Sequence, residues 1–223
     1  MNTLSNVKHG REQCVRLAPD AIPEAKSRTT GVSVEYVPCD GKSWFVLRAS
    51  YGREDLASDI LVADGTYAYV ARRQTRKIIN GKTRKVVENL IPNLLFAYTT
   101  HEQADCYVKD TPSLPYLSYY YNHFALNDSA KNPPLIVPRR EMENFILATC
   151  GGSEHLMFVS KEQCHFRGGE TVRVTDGAFR GVEGRVARVA GQQRVVVTIT
   201  GVGLVTTAYI PSAFLQVVDT NRN

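Results

Sequence analysis

The most constraining feature of this chain is a pair of strand-like segments joined by a glycine-rich turn near its C-terminal end. Residues 166–176 (FRGGETVRVTD) alternate apolar and polar side chains around Val172 and Val174. The residues that follow, GAFRGVEGRV, carry glycine at Gly177, Gly181 and Gly184. Glycine adopts positive backbone angles at little steric cost. We therefore interpret this stretch as a tight turn that joins two strands.

The same pattern continues towards the end of the chain. Strand-like segments cover 170–175, 183–190, 194–200, 205–210 and 215–218. Their spacing of about ten residues is what a small barrel needs. The segment RVVVTIT at 194–200 is rich in β-branched residues, which favour strand over helix. The sequence therefore predicts a stable β-barrel over residues 166–219 that does not refold into helices.

Residues 43–148 predict a different, α+β architecture. Apolar runs indicate strands at 44–49 (WFVLRA), at 94–98 (LLFAY) and within the aromatic segment 116–124. Residues 52–63 (GREDLASDILVA) have the pattern of an amphipathic helix, and a second helix is predicted after Pro138. Its inward positions are Met142, Phe145 and Ile146. The simplest assembly is an antiparallel sheet with helices packed on it.

Two segments lie outside these domains. Residues 1–42 are polar, punctuated by prolines and without periodicity, so we interpret them as an N-terminal extension that is flexible or loosely docked. Residues 149–165 contain Gly151, Gly152 and Ser153 and indicate a linker. The predicted organisation is therefore an extension at 1–42, an α+β domain at 43–148, a linker at 149–165 and a barrel at 166–219.

A basic hairpin is the strongest charge feature of the chain. Between Arg72 and Lys85 there are seven basic residues and no acidic ones, within a formal net charge of +5. Asn80 and Gly81 form the dipeptide that two-residue hairpin turns favour, because both residues tolerate positive φ. We predict a projecting two-stranded arm that is either a solvated face or a nucleic-acid contact.

Composition excludes several classes of protein. No apolar run of transmembrane length occurs, and the first thirty residues lack the apolar region of a signal peptide, so we expect a cytoplasmic protein without membrane contact. The five cysteines include no C-x-x-C pair, which fits free thiols better than a zinc site. No nucleophile, metal or phosphate-loop motif surrounds any histidine. We expect no enzyme activity, no cofactor and no metal.

Family resemblance adds to this interpretation. The turn sequence D-G-x-F-x-G-x-x-G-x-V resembles the KOW motif of five-stranded SH3-like barrels, with Gly177, Phe179, Gly181 and Gly184 at its characteristic positions. The order of strand, helix, basic hairpin, apolar strand, helix and KOW barrel is similar to the NusG-like transcription elongation factors, which join an NGN domain to a KOW domain. The sequence IPNLLF at 91–96 and the N-terminal extension resemble specialised members such as RfaH and the UpxY-type antiterminators of capsular polysaccharide operons.

The resemblance implies a docking surface for RNA polymerase on the NGN domain. Alternate residues of a strand face inward, so we expect at least half of the matching residues in the core and about three at the polymerase. The matching residues are Trp44, Phe45, Ile91, Pro92, Leu94, Phe96, Tyr116 and Leu117.

The resemblance also implies contacts to the non-template DNA strand. The matching residues are Arg48, Tyr51 and Arg53 near the first helix and Arg72, Arg73 and Arg76 on the arm. The resemblance leaves three partners open for the KOW domain: the ribosome, the termination factor Rho and the NGN domain of the same chain. Two alternatives remain open, a KOW-containing ribosome-associated or RNA-binding module and a housekeeping NusG. The first alternative can be distinguished by three elements that a ribosomal KOW protein does not need: the strand at Trp44, the helix that follows it and the strand after Pro92.

Overall fold

The computed structural model describes residues 22–122 and 132–218. Residues 1–21 of the predicted extension, Phe124 of the predicted aromatic strand and Asp219 at the predicted barrel end lie outside the described part. The N-terminal half contains three α-helices among its described residues, namely α1 (Glu54–Ala63), α2 (His101–Asp105) and α3 (Arg139–Thr149), and a π-helical segment (Cys106–Asp110) continues α2. Its strands are β1 (Ala25–Lys26), β2 (Ser33–Val34), β3 (Ser43–Ala49), β4 (Tyr67–Tyr69), β5 (Arg72–Ile79), β6 (Lys82–Asn89), β7 (Leu94–Thr99), β8 (Leu117–Tyr119) and β9 (Ile136–Val137).

An antiparallel sheet forms the centre of the N-terminal half. Its strand order is β4-β7-β3-β8, and β9 also pairs with β3. Every residue of β7 is buried, which agrees with the prediction of a central strand. Met142, Phe145 and Ile146 of α3 are fully buried, as their helical spacing predicted. The Phe145 ring meets the Phe96 ring at a centroid distance of 5.3 Å, so α3 is packed on the sheet.

Residues 22–42 pack against this domain, and ordered structure therefore begins before Trp44. β1 and β2 pair with each other, and the Tyr36 ring lies 5.4 Å from the Trp44 ring and 5.0 Å from the Tyr98 ring. The Tyr36 hydroxyl donates a hydrogen bond of 2.8 Å to Glu143 of α3. Burial and this bond raise the pKa of the Tyr36 phenol. This part of the predicted extension covers an aromatic cluster.

The C-terminal half is a six-stranded antiparallel sheet. Its strands are β10 (Met157–Val159), β11 (His165–Val174), β12 (Glu183–Val189), β13 (Gln192–Ile199), β14 (Gly203–Tyr209) and β15 (Leu215–Val218), in the order β10-β14-β13-β12-β11-β15. The last five strands confirm the five strands predicted from alternation. β10 lies in the segment predicted as a linker, and it pairs antiparallel with β14 at the edge of the sheet.

The glycines of the β11–β12 turn have two different physical roles. Gly177 and Gly181 have φ of 85° and 88°, which confirms the expected left-handed backbone. Gly184 does not have a positive φ, so the backbone reason expected for this glycine is wrong. A Cβ at Gly184 would collide with the backbone oxygen of Val196 on β13, and close strand packing therefore requires the glycine. Phe179 is buried beneath the turn.

Helix α3 also joins the two halves. The Asn144 side chain accepts a hydrogen bond of 2.6 Å from the backbone N–H of Glu183 and donates one to the Glu183 carbonyl. The Glu141 carboxylate accepts from the backbone N–H and the hydroxyl of Thr200, at 2.8 and 2.9 Å. Arg140 forms a 2.7 Å ion pair with Glu183. The C-terminal sheet is thus docked on the outer side of α3.

Candidate functional site

The basic arm is a two-stranded ribbon formed by β5 and β6. Eight pairs of residues lie opposite each other, from Arg72 with Asn89 to Ile79 with Lys82. Asn80 and Gly81 have φ of 51° and 72°, which confirms the predicted two-residue turn with positive φ at both positions. Most of the arm's side chains are exposed. The arm is therefore a cationic two-stranded ribbon whose side chains lie mostly outside the core.

The three arginines of the arm that are predicted to bind nucleic acid each have an acidic partner. Arg72 pairs with Asp55 at 2.5 Å, Arg73 with Glu88 at 2.7 Å and Arg76 with Glu154 at 3.2 Å. Hydrogen bonds from Lys77 and Arg73 lower the pKa of the Glu88 carboxyl. Much of the positive charge at the base of the arm is therefore balanced by neighbouring carboxylates.

The outer part of the arm differs from its base. Within the described residues, Lys82, Arg84 and Lys85 form no ion pair. Ile78 is 78% exposed next to them, and Val87 on the same face is 63% exposed. We define the arm tip as Ile78, Ile79, Lys82 and Arg84. Lys85 lies opposite Arg76, and the pKa of the Glu154 carboxyl is lowered by its hydrogen bond with Arg76 and by the nearby charge of Lys85.

A second exposed surface, the loop cluster, forms where three separate loops meet. Its exposed members are Tyr51, Gly52 and Arg53 before α1 and Pro92 before β7, and they lie beside the half-buried Asn93 and the buried Tyr116 before β8. Tyr51 has φ of 62° and is 89% exposed. A bulky residue rarely occupies this backbone region, and such strain is concentrated at functional sites. The strained backbone holds the Tyr51 ring in solvent.

Long-range hydrogen bonds hold the loop cluster together. Glu54 is buried, and its Oε1 accepts from the Asn89 side chain at 2.7 Å and from the Asn93 backbone N–H at 3.2 Å. Asn93 Oδ1 in turn accepts from the Gly52 N–H at 3.0 Å. Because Asn89 ends β6, this network also ties the loop cluster to the base of the arm. Sequence reasoning missed both Glu54 and Asn93, although the positive φ of Asn93 is typical of asparagine.

One arginine side chain lies beside the exposed ring of the loop cluster. The Arg53 guanidinium lies 5.0 Å from the centroid of the Tyr116 ring and 5.9 Å from that of Tyr51. Arg48 is exposed on the adjacent strand β3. The structure thus brings the predicted residues Arg48, Tyr51 and Arg53 to one end of the sheet. An aromatic face next to guanidinium groups can stack bases and bind phosphates.

Seven of the eight residues predicted to contact polymerase are buried in this structure, more than strand alternation suggested. Trp44, Phe45 and Phe96 are at most 1% exposed and belong to the sheet core. Ile91, Leu94, Tyr116 and Leu117 are also buried. Pro92 is exposed, at the rim of the loop cluster. Among these eight residues, only Pro92 is exposed enough to contact polymerase directly. The seven buried residues belong to the core on which the loop cluster is packed.

A comparison with known protein families finds a match in the middle of the chain. Residues 42–146 match the family model described as transcription termination factor NusG. The matched stretch includes the N-terminal sheet, the arm and most of α3, whereas the C-terminal sheet lies beyond it. No curated protein matches the chain. Among the described residues, no helix is both long and apolar enough to cross a membrane.

The match concerns a class of transcription factors that are not enzymes. It supports a NusG-like factor that acts in transcription elongation or antitermination in general. Factors of this family interact with RNA polymerase.

Proposed function

We propose that this protein is a specialised NusG-like antitermination factor, which binds RNA polymerase through its N-terminal domain and suppresses pausing or termination at particular operons. The observation that carries the proposal is the loop cluster within the residues that match NusG. There a strained, exposed Tyr51 lies beside Arg53 and the exposed Pro92. Surface-polysaccharide operons are the proposed targets, because IPNLLF at 91–96 and the N-terminal extension resemble RfaH and UpxY-type factors.

The polymerase would dock at the loop cluster. Pro92 is an exposed apolar residue next to buried core residues. An apolar residue that is held in place before binding suits an interface anchor, because it loses little entropy on binding. Asn93 is fixed on both sides by hydrogen bonds to Glu54 and Gly52. These bonds support Pro92, the neighbouring residue, as the docking position.

The non-template DNA strand would lie against the same end of the domain. Single-stranded nucleic acid is bound by aromatic platforms that stack bases and by cations that contact phosphates. Tyr51 supplies the platform, and Arg48 and Arg53 supply the cations. We further propose that the C-terminal sheet is a KOW barrel whose partner is the ribosome or Rho.

Polymerase binding tests the docking surface. Pro92→Glu places a charge on the exposed rim without removing a core side chain. We expect it to weaken binding of the full-length protein to purified RNA polymerase by at least about tenfold, since loss of an apolar anchor costs about 2 kcal/mol. The matched control is Pro138→Glu, which changes an exposed proline at the start of α3. Biolayer interferometry with immobilised polymerase gives both affinities.

Three outcomes have distinct meanings. Loss of binding in the Pro92 variant, with the Pro138 variant unchanged, supports docking at the loop cluster. Equal binding by both variants and the natural sequence would place the polymerase contact elsewhere. A natural protein that binds no polymerase at all would contradict the proposed function itself.

A further inference from the structure

A cleft lies where the base of the arm, the residues before β7 and strand β10 meet. Its volume is about 430 Å³, which is within the range of small-molecule sites. Glu54 lines the cleft at the start of α1, Pro92 lines it before β7, and Phe158 of β10 lines it from the C-terminal half. Phe158 is 40% exposed. A carboxylate and an aromatic ring from separate parts of the molecule therefore border one space.

The charges that line this cleft are unequally balanced. Three charged residues contribute to the lining, namely Glu54, Arg73 and Glu88. Glu88 forms ion pairs with Arg73 and with Lys77, both at 2.7 Å. Glu54 is only 3% exposed, and it forms no ion pair in the part of the chain that the structure describes. A buried carboxylate is normally paired with a cation, so the lining has an excess of negative charge.

The hydrogen bonds of Glu54 leave one of its carboxylate oxygens without a donor. Oε1 accepts from the Asn89 side chain and from the Asn93 backbone N–H, which are both neutral donors. Oε2 is buried and has no hydrogen-bond partner among residues 22–122 and 132–218. The N-terminus of α1 offsets part of the negative charge, but the donor to Oε2 is still missing. A ligand that carries positive charge and donates hydrogen bonds would satisfy both requirements.

We propose that this cleft binds an alkylguanidinium group, whose N–H groups donate to Glu54 Oε2 and whose plane stacks on the Phe158 ring. A guanidinium is planar and weakly hydrated, and it stacks on aromatic rings. An ammonium is compact and strongly hydrated, so it suits a lining that includes Leu90, Pro92 and Phe158 less well. A metal ion is a poorer candidate, because the described residues contain no group of three metal-binding side chains. The guanidinium belongs either to a small molecule or to an arginine of another protein, and the site does not depend on the proposed function.

A nuclear magnetic resonance titration of the full-length, isotopically labelled protein with n-butylguanidinium tests the site. The Asn93 amide signal reports binding, because its N–H donates to Glu54. Neutral n-butylurea has nearly the same shape, and we expect it to bind at least about tenfold more weakly because it lacks the charge-assisted bond. n-Butylammonium, which has the charge without the planar group, should also bind more weakly. Equal binding of all three compounds would contradict a guanidinium site, and so would an Asn93 signal that n-butylguanidinium leaves unshifted at about 10 mM, above the millimolar range expected of one charged contact.

Two variants assign the binding to named side chains. Glu54→Gln keeps the shape of the side chain and an acceptor oxygen but removes the charge, so we expect affinity for n-butylguanidinium to fall about tenfold. Phe158→Leu removes the aromatic face and should lower affinity about threefold. The matched controls are Glu35→Gln, at an exposed carboxylate, and Tyr209→Leu, at an aromatic residue of the C-terminal sheet that is 57% exposed. Both controls should bind as the natural protein does.

A charge at the rim of the cleft gives a test that leaves the Glu54 hydrogen bonds in place. Pro92→Lys adds a cation beside the cleft, so it should weaken binding of n-butylguanidinium and leave binding of n-butylurea unchanged, because like charges repel. Circular dichroism verifies the fold of each variant. If Glu54→Gln does not fold, Phe158→Leu and Pro92→Lys decide the question, and unchanged affinity in both of them would overturn the proposal.

A capped tripeptide with a central arginine distinguishes the two sources of the guanidinium group. If the peptide and n-butylguanidinium shift the Asn93 amide signal with similar affinity, the cleft accepts an arginine side chain of another protein. If only n-butylguanidinium binds, the cleft accepts a small molecule. Either result supports a guanidinium site, whereas binding by neither compound rejects it.

Discussion

Tyr51 combines a strained backbone conformation with an exposed side chain, and neither feature stabilises the folded protein. Its φ of 62° is unfavourable for a bulky side chain, and its ring is 89% exposed and therefore gains little from burial. Asn93 and Glu54 hold the adjoining backbone in place through hydrogen bonds. This combination is explained if the ring is retained for binding.

Replacing Tyr51 tests that explanation. Tyr51→Gly removes the ring and suits the left-handed backbone, so we expect unchanged or slightly raised thermal stability. Affinity for single-stranded DNA should fall by about 1–3 kcal/mol if one base stacks on the ring. Tyr51→Phe, which keeps the aromatic face, is the control and should bind nearly normally. Fluorescence anisotropy with thermal melting measures both quantities; an unchanged affinity in the glycine variant would exclude stacking on Tyr51.

At the scale of elements, α3 contacts three other parts of the molecule. Phe145 packs on the sheet, Glu143 accepts the Tyr36 hydroxyl, and Glu141 and Asn144 bind backbone groups of the C-terminal sheet. Glu183 and Thr200, the residues bound by α3, lie at the start of β12 and directly after β13. The helix therefore determines where the C-terminal sheet is placed.

Hydrogen exchange tests this docking contact. Asn144→Ala removes the acceptor of the Glu183 N–H, and Glu141→Ala removes that of the Thr200 N–H. We expect exchange at these two amides to accelerate by about fivefold to tenfold, since a hydrogen bond contributes about 1 kcal/mol. Arg139→Ala, an exposed residue of the same helix, is the control. Unchanged exchange in both variants would mean that the sheet is not held on α3 in solution.

The pH dependence of this contact follows from Glu183. Burial raises the pKa of its carboxyl, but hydrogen bonds from Arg173 and Arg140 outweigh this effect and leave the pKa lowered. A lowered folded-state pKa stabilises docking above the ordinary carboxyl range, and this contribution is lost as the pH falls through the folded-state value. The docked arrangement should therefore loosen on acidification and remain unchanged between neutral and mildly alkaline pH.

Features encoded by neighbouring residues were predictable, whereas those that depend on distant partners were not. The Asn80-Gly81 turn and the buried face of α3 follow from short-range patterns. The ion pair of Arg76 with Glu154 and the hydrogen bond of Asn93 with Glu54 join residues far apart in sequence. Helix α2 and the π-helical segment that continues it to Asp110 were not predicted, although Thr100 caps α2 by accepting from the Gln103 N–H. That Thr-x-x-Gln spacing was a usable signal.

At the scale of the whole molecule, the described residues present two exposed surfaces attached to one rigid centre. The Glu54 network links the loop cluster to the base of the arm, and α3 fixes the C-terminal sheet to the same domain. In the proposed function, polymerase and the non-template DNA strand both meet the loop cluster. The N-terminal domain would thus contact the enzyme and the exposed strand together.

Sequencing of nascent transcripts, in cells with and without this protein, tests the central claim most directly. An operon-specific antitermination factor predicts that its loss shifts RNA 3′ ends towards promoter-proximal pause and termination sites in a limited set of operons. Restoring the natural protein should reverse the shift, whereas restoring the Pro92→Glu variant should not. An unchanged distribution of nascent 3′ ends in every operon, under conditions where the protein is present in cells, would contradict a role in transcription elongation.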